Sequence, residues 1–171
     1  MKKLLIIILI VALTGVLSAQ DKQMTRTERK AAEKVQLIEK NKALVNSGSW
    51  QFDATQMFPS SGRSRTLTPS YRVIVNKGEI DSYLPYFGRA YSVEYGSSQS
   101  PMSFRGEVSD LKVEDWKKGG WIISFKTENK NDMMEFIFYI GETGSVTLKV
   151  NSTNRQPISF YGDLSEPDSR E

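Results

Sequence analysis

Two stretches decide the fold class: Trp121-Ile122-Ile123-Ser124-Phe125-Lys126-Thr127-Glu128-Asn129 and Met133-Met134-Glu135-Phe136-Ile137-Phe138-Tyr139-Ile140. In the first, Trp121, Ile123, Phe125 and Thr127 alternate with more polar neighbours. In the second, Met134, Phe136, Phe138 and Ile140 alternate with Met133, Glu135, Ile137 and Tyr139. A period of two sends successive side chains to opposite faces, which is the pattern of strands. Asn129 to Asp132 is short and polar, so the two runs form a hairpin. The second run is apolar on both faces, which predicts a central strand covered on both sides.

The alternation continues outward. Gly141 to Gly144 is a turn, Val146, Leu148 and Val150 alternate after it, and Ile158 and Phe160 mark a last strand. Upstream, Lys117-Lys118-Gly119-Gly120 is a hairpin turn. Val108, Leu111, Val113 and Trp116 mark the strand before it, with a bulge near Asp110. Met102 to Gly106 is another strand. Trp50, Phe52 and Ala54 alternate, Pro59 to Arg65 is a loop, and Tyr71, Val73 and Val75 alternate before the turn Asn76-Lys77-Gly78-Glu79. Ile80 to Leu84 returns. Strands so closely spaced between turns predict a mainly β domain, an antiparallel barrel or a sandwich, over residues 49–162.

One helix precedes it, over about Arg26 to Val45. Thr25 and Glu28 have capping-box spacing. Ala31, Val35, Ile38 and Leu44 lie near one face, with Ala32 and Val45 at its edge, so the helix is expected to pack on the sheet through one side. Asn46-Ser47-Gly48 stops it. Residues 20–48 form this N-terminal segment, and residues 163–171 read as an acidic tail.

The first 19 residues read as a signal peptide. Lys2 and Lys3 form a basic start, Leu4 to Leu13 is an unbroken apolar run, and Ser18 and Ala19 are small residues before a cut that leaves Gln20 first. The apolar run is shorter than the roughly 20 residues of a spanning helix. The expected product is periplasmic or secreted, with no stable membrane span after cleavage. An uncleaved N-terminal anchor is the alternative. The full chain carries 23 basic and 20 acidic residues, net +3. Without Lys2 and Lys3 the balance is 21 to 20, net +1. No concentrated basic face marks a nucleic-acid partner.

The sequence has no histidine and no cysteine. That removes the commonest neutral-pH base, the commonest metal ligand, lipid attachment at an N-terminal cysteine, disulfides, and every Ser-His or Cys-His mechanism. No metal site and no cofactor are expected. Glu94, Asp110, Asp115 and Glu135 are the carboxylates left for catalysis. Glu135 draws attention inside an apolar strand, yet an outward-facing residue on a half-exposed strand explains it as well. Asn151-Ser152-Thr153 matches a glycosylation sequon, a motif short enough to arise by chance. The expectation is a protein that is not an enzyme.

Tyr83-Leu84-Pro85-Tyr86-Phe87-Gly88-Arg89-Ala90-Tyr91 differs from the rest. Four aromatics, a proline, a glycine and an arginine share nine residues. Pro85 keeps Leu84 extended and interrupts the ladder. Gly88 is expected at positive φ, and Arg89 on the face of Tyr86 or Tyr91. The segment reads either as an aromatic mouth that stacks a ligand, with Tyr83, Tyr86, Arg89, Tyr91 and the nearby Tyr95 as binding residues, or as a plug closing one end of the sheet.

With Trp50-Gln51-Phe52, Pro101, Phe104 and the charged helix, Leu84 to Tyr91 resembles the DUF4251 family of uncharacterised exported Bacteroidetes proteins. The resemblance implies a single periplasmic or surface domain and transfers no catalytic residues. The expected function is a non-catalytic cell-envelope module that binds a small, partly apolar ligand or a peptide. The alternative is an interaction protein that docks an envelope partner through its helix or a sheet edge.

Overall fold

The computed structural model describes residues 25–68, 70–90 and 100–168. The expected signal segment and its cut lie outside these residues. Helix α1 spans Arg26–Asn46. Its start is a capping box. The Thr25 N–H donates to Glu28 Oε2 at 2.8 Å, and the Glu28 N–H donates to Thr25 Oγ1 at 3.3 Å. Gly48 ends it at φ +67°, a left-handed conformation that costs glycine nothing. No helix among the described residues is long and apolar enough to cross a membrane.

The chain divides into two compact units, Met1–Glu33 and Lys34–Glu171, with the boundary inside α1. In the second unit the helix meets the sheet only through its last turns. Asn41 and Val45 are buried and Leu44 packs on the core, while Val35 and Leu37 stay exposed. Asn41 Nδ2 donates to Glu142 O at 2.9 Å, which ties the helix to a hairpin turn. The expected apolar stripe therefore packs only at its C-terminal end in this unit.

Ten strands follow among the described residues: β1 Ser49–Pro59, β2 Arg65–Thr66, β3 Arg72–Asn76, β4 Glu79–Tyr83, β5 Ser103–Glu107, β6 Ser109–Asp115, β7 Trp121–Asn129, β8 Asp132–Ile140, β9 Ser145–Ser152 and β10 Ile158–Ser165. They form one sheet in the order β5-β4-β3-β1-β10-β9-β8-β7-β6, with β2 folded back on β1. Every pairing is antiparallel. The hairpin β3–β4 turns through Lys77 at φ +46° and Gly78 at φ +96°. Two positive φ values in a two-residue loop match the twist of the strands it joins.

The sheet curls so that β5, at one end of the order, packs against β7, next to the other end. The fold is a nearly closed barrel, which settles the choice between barrel and sandwich. Gly106 on β5 makes the approach feasible. A Cβ there would lie 2.9 Å from Thr127 Oγ1 on β7. β6 follows β5 directly and continues along β7, with Ser109 opposite Lys126.

The interior is aromatic. Phe125 and Phe136 stack at 5.5 Å, Phe125 and Phe138 at 5.8 Å, and Trp50 meets Phe138 edge-on at 4.8 Å. Each such ring is fully or almost fully buried, contributing about 1.5–3 kcal/mol by removal from water. β8 is central in its hairpins, as its pattern predicts, but it is not covered on both sides. Met134, Phe136, Phe138 and Ile140 are buried, while Met133, Glu135, Ile137 and Tyr139 line an outer face that solvent reaches. β10 runs to Ser165, so the residues read as the start of the tail continue a strand. Leu164 packs on the core, and its N–H donates to Gly144 O at 2.8 Å.

Candidate functional site

The segment after β4 is shaped by its own residues. Leu84 and Pro85 are buried, and Leu84 fixes the chain to the core. The Leu84 N–H donates to Met102 O at 3.3 Å, and the Ser100 hydroxyl donates to Leu84 O at 2.6 Å. The chain then folds over the β9–β10 loop. The Gln156 N–H donates to Arg89 O at 3.2 Å, and Ala90 forms a bridge with Arg155. The Tyr86 hydroxyl points at two carbonyl oxygens, Arg89 O at 2.9 Å and Gln156 O at 3.2 Å. It is a clasp between two loops.

Gly88 is not at positive φ, contrary to expectation. Glycine stands there because a Cβ would meet Tyr86 Oη at 2.6 Å and Cζ at 2.8 Å. Arg89 is exposed and does not stack on Tyr86. Among the described residues, Arg65 of β2 lies over Phe87, 4.4 Å from its ring centre. Tyr83 stacks on Tyr71 at 5.4 Å and 19°, with half its surface exposed. Tyr91 and Tyr95 lie outside the described residues. The expected binding residues thus fall into a clasp (Tyr86), a surface stack (Tyr83) and an exposed arginine (Arg89).

The β9–β10 loop is anchored by a group that the sequence did not single out. Asp132, at the start of β8, is 5% exposed. Its carboxylate accepts from Ser152 Oγ at 2.8 and 2.9 Å, from Thr153 Oγ1 at 3.1 Å and from the Asn154 N–H at 3.2 Å. Arg155 pairs with it through Nη1. A buried charge needs such a shell. The signal is the hydroxyl-rich Asn151 to Arg155 run, which pattern alone reads as a chance sequon.

Of the carboxylates considered for catalysis, Asp110 and Glu135 share a lysine. Lys126 on β7 lies opposite Glu135 and donates through Nζ to Asp110 at 2.9 Å, so an ammonium sits between those two. The hydrogen bond from Lys126 and then its charge hold the Asp110 carboxyl below its ordinary range, and the same contact raises the Lys126 ammonium. Glu135 faces outward and accepts from Asn151 Nδ2 at 3.0 Å. Asp115 is exposed on β6, and Glu94 lies outside the described residues.

β6 is one of the two end strands of the sheet. All seven residues of this end strand are exposed, and it pairs only with β7 among the described strands. A bulge between Ser109 and Lys112 begins it, with Asp110 at φ +54°. Beyond the bulge, Val113 lies opposite the buried Ile123, yet it is 53% exposed, and Leu111 is 52% exposed. Both belong to a strand that follows directly on β5 and pairs with β7. Lys112 and Glu114 lie opposite Ser124 and Ile122 on the other face. The Trp116 N–H donates to Gly120 O at 2.9 Å, one step beyond the Asp115–Trp121 pair. Antiparallel bonding alternates, so Lys112 and Glu114 spend their backbone groups on β7 and Val113 turns its N–H and C=O to the free edge.

A family model described as a domain of unknown function, DUF4251, matches residues 32–164. The chain belongs to the DUF4251 family. A crystal structure of a DUF4251 family protein from Bacteroides eggerthii DSM 20697 shares the fold. It matches with a TM-score of 0.56 at 18% identity, over 76% of this chain and 87% of that one. No curated protein matches the chain. The matched DUF4251 region takes in the Tyr86 clasp, the Asp132 anchor and β6, and begins at residue 32, inside α1.

Proposed function

We propose that this DUF4251 protein is a non-catalytic interaction module of the cell envelope that docks a protein partner along the free edge of β6. One observation carries the reading. An end strand exposed at every position presents unpaired backbone groups beside two half-exposed apolar side chains, Leu111 and Val113. Edge strands are templates for another strand, and soluble proteins ordinarily blunt them or use them. Export is supported by the basic start, apolar run and small residues of 1–19. The lack of histidine and cysteine in the sequence supports a role other than acid–base or thiol catalysis.

The test is a photo-crosslinking side chain at position 113, compared with one at exposed Tyr161 on the outer face of β10, in the living host. The reading expects a protein adduct from position 113 and none from position 161. No adduct from position 113 overturns it.

A second reading is a small, partly apolar ligand held at Tyr83, and the exposed Tyr71–Tyr83 stack favours it. Native mass spectrometry of protein purified from its host would show a carried mass that Tyr83→Ala removes. Protein without such a mass excludes it.

A further inference from the structure

We propose that the strand docking on β6 is the β6 of a second copy of this chain, in one register centred on Val113. The proposal rests on the edge-docking reading above and names the partner. β6 runs Ser109-Asp110-Leu111-Lys112-Val113-Glu114-Asp115. Two copies related by a twofold axis pair antiparallel, and residues directly opposite share a face. Hydrogen bonding requires residues that turn their backbone groups to the free edge to face each other, and Val113 is such a residue. With the axis at Val113, the two Val113 residues exchange both N–H···O bonds. Lys112 of each copy then faces Glu114 of the other in a pair without hydrogen bonds, where side chains approach most closely.

The neighbouring registers are unfavourable. Moving the axis to Lys112 sets Lys112 against Lys112 and Asp110 against Glu114. Moving it to Glu114 sets Glu114 against Glu114. Like charges directly opposite each other destabilise a sheet. Of these three registers, only the one at Val113 pairs opposite charges, and it does so twice. The apolar surface of Leu111 and Val113 from each copy then lies side by side. The charges that guard an edge against other strands select the same edge of a copy. At the other end of the strand, the bulge at Asp110, held by Lys126, limits the paired length.

The test uses single cysteines, since the native chain has none. Across a hydrogen-bonded pair the Cα atoms are about 5.5 Å apart, inside the roughly 4.4–6.8 Å that a disulfide spans. Val113→Cys is expected to form a disulfide dimer under mild oxidation. Leu111→Cys is expected to form none alone and a mixed dimer with Asp115→Cys. In sedimentation, Lys112→Glu and Glu114→Lys should each weaken the dimer about tenfold or more. An equimolar mixture of the two should restore it. One chain is then acidic at both 112 and 114 and the other basic at both, so each cross-strand pair again joins opposite charges. A monomeric full chain with no Val113→Cys dimer overturns the proposal. So does association that both charge variants leave unchanged. An adduct from position 113 to a different chain, with no dimer, overturns self-pairing and leaves edge docking standing. No adduct of any kind from position 113 removes both.

Discussion

Gly88→Ala isolates the clasp from the rest of the segment. The glycine is not left-handed, so the substitution carries no φ penalty. In an open site the smaller freedom of the unfolded chain would make it stabilising by about 0.4–1 kcal/mol. The site is not open. The new Cβ starts 2.6 Å from Tyr86 Oη, against 3.4 Å for an ordinary contact, so the ring must retreat by about 0.8 Å. Hydrogen bonds of 2.9 and 3.2 Å to Arg89 O and Gln156 O do not survive that retreat. The hydroxyl shares one proton between them, which is about 1 kcal/mol net. Displacing the ring adds about 1–3 kcal/mol of packing cost. The net expectation is a loss of about 1–3 kcal/mol, or a melting temperature lower by about 2–4 °C for each kcal/mol. The decisive assay is a double-mutant cycle by urea denaturation. In a Tyr86→Ala background the obstacle is gone, and Gly88→Ala should become neutral or stabilising by up to about 1 kcal/mol. Equal destabilisation in both backgrounds would refute the reasoning, because the cost would then lie in the backbone and not in the Tyr86 contact.

Asp132→Ala should cost about 3–5 kcal/mol, since it leaves Arg155 half-buried without its carboxylate; hydrogen exchange should show the 152–157 loop and the 84–90 segment loosening together. Thr127→Val should stabilise the barrel by about 1 kcal/mol in thermal melts, because the Thr127 hydroxyl is buried with no partner among the described residues. The Asp110–Lys126 contact gives a pH signature. The folded pKa of Asp110 is lowered, so its stabilisation is present above the unfolded value and is lost as pH falls through the folded one. Lys126 is raised, so its part is lost as pH rises through its folded value. Melting of Asp110→Asn should therefore fall below wild type between those limits, converge with it in acid, and converge again with added salt.

Much of the fold was legible because it is local. Alternation in 121–140 and 145–150, the Asn76 to Glu79 turn, the Thr25–Glu28 capping box and the bulge at Asp110 are properties of neighbours in the chain. What escaped depends on distant residues. Arg65 covers Phe87, a pairing that the sequence did not suggest, because β2 folds back on β1 and brings it there. Gly88 has the context of a positive-φ position, but its reason is a ring two residues away in an unforeseen rotamer. Leu111 and Val113 stand two residues apart like one face of a buried strand, and pattern alone does not reveal that both are half exposed. The apolar outer row of β8 misleads in the same way. Periodicity assigns residues to faces and is silent about what covers each face.

Val113→Pro tests the role of the β6 edge most directly. The Val113 N–H faces away from β7, so proline there removes an edge donor and leaves the β6–β7 ladder intact. Sedimentation velocity of the full chain across a concentration series should show a dimer that Val113→Pro converts to monomer, with an unchanged circular dichroism spectrum. A wild type that stays monomeric throughout, or a Val113→Pro chain that associates as well as wild type, would contradict self-pairing along the β6 edge.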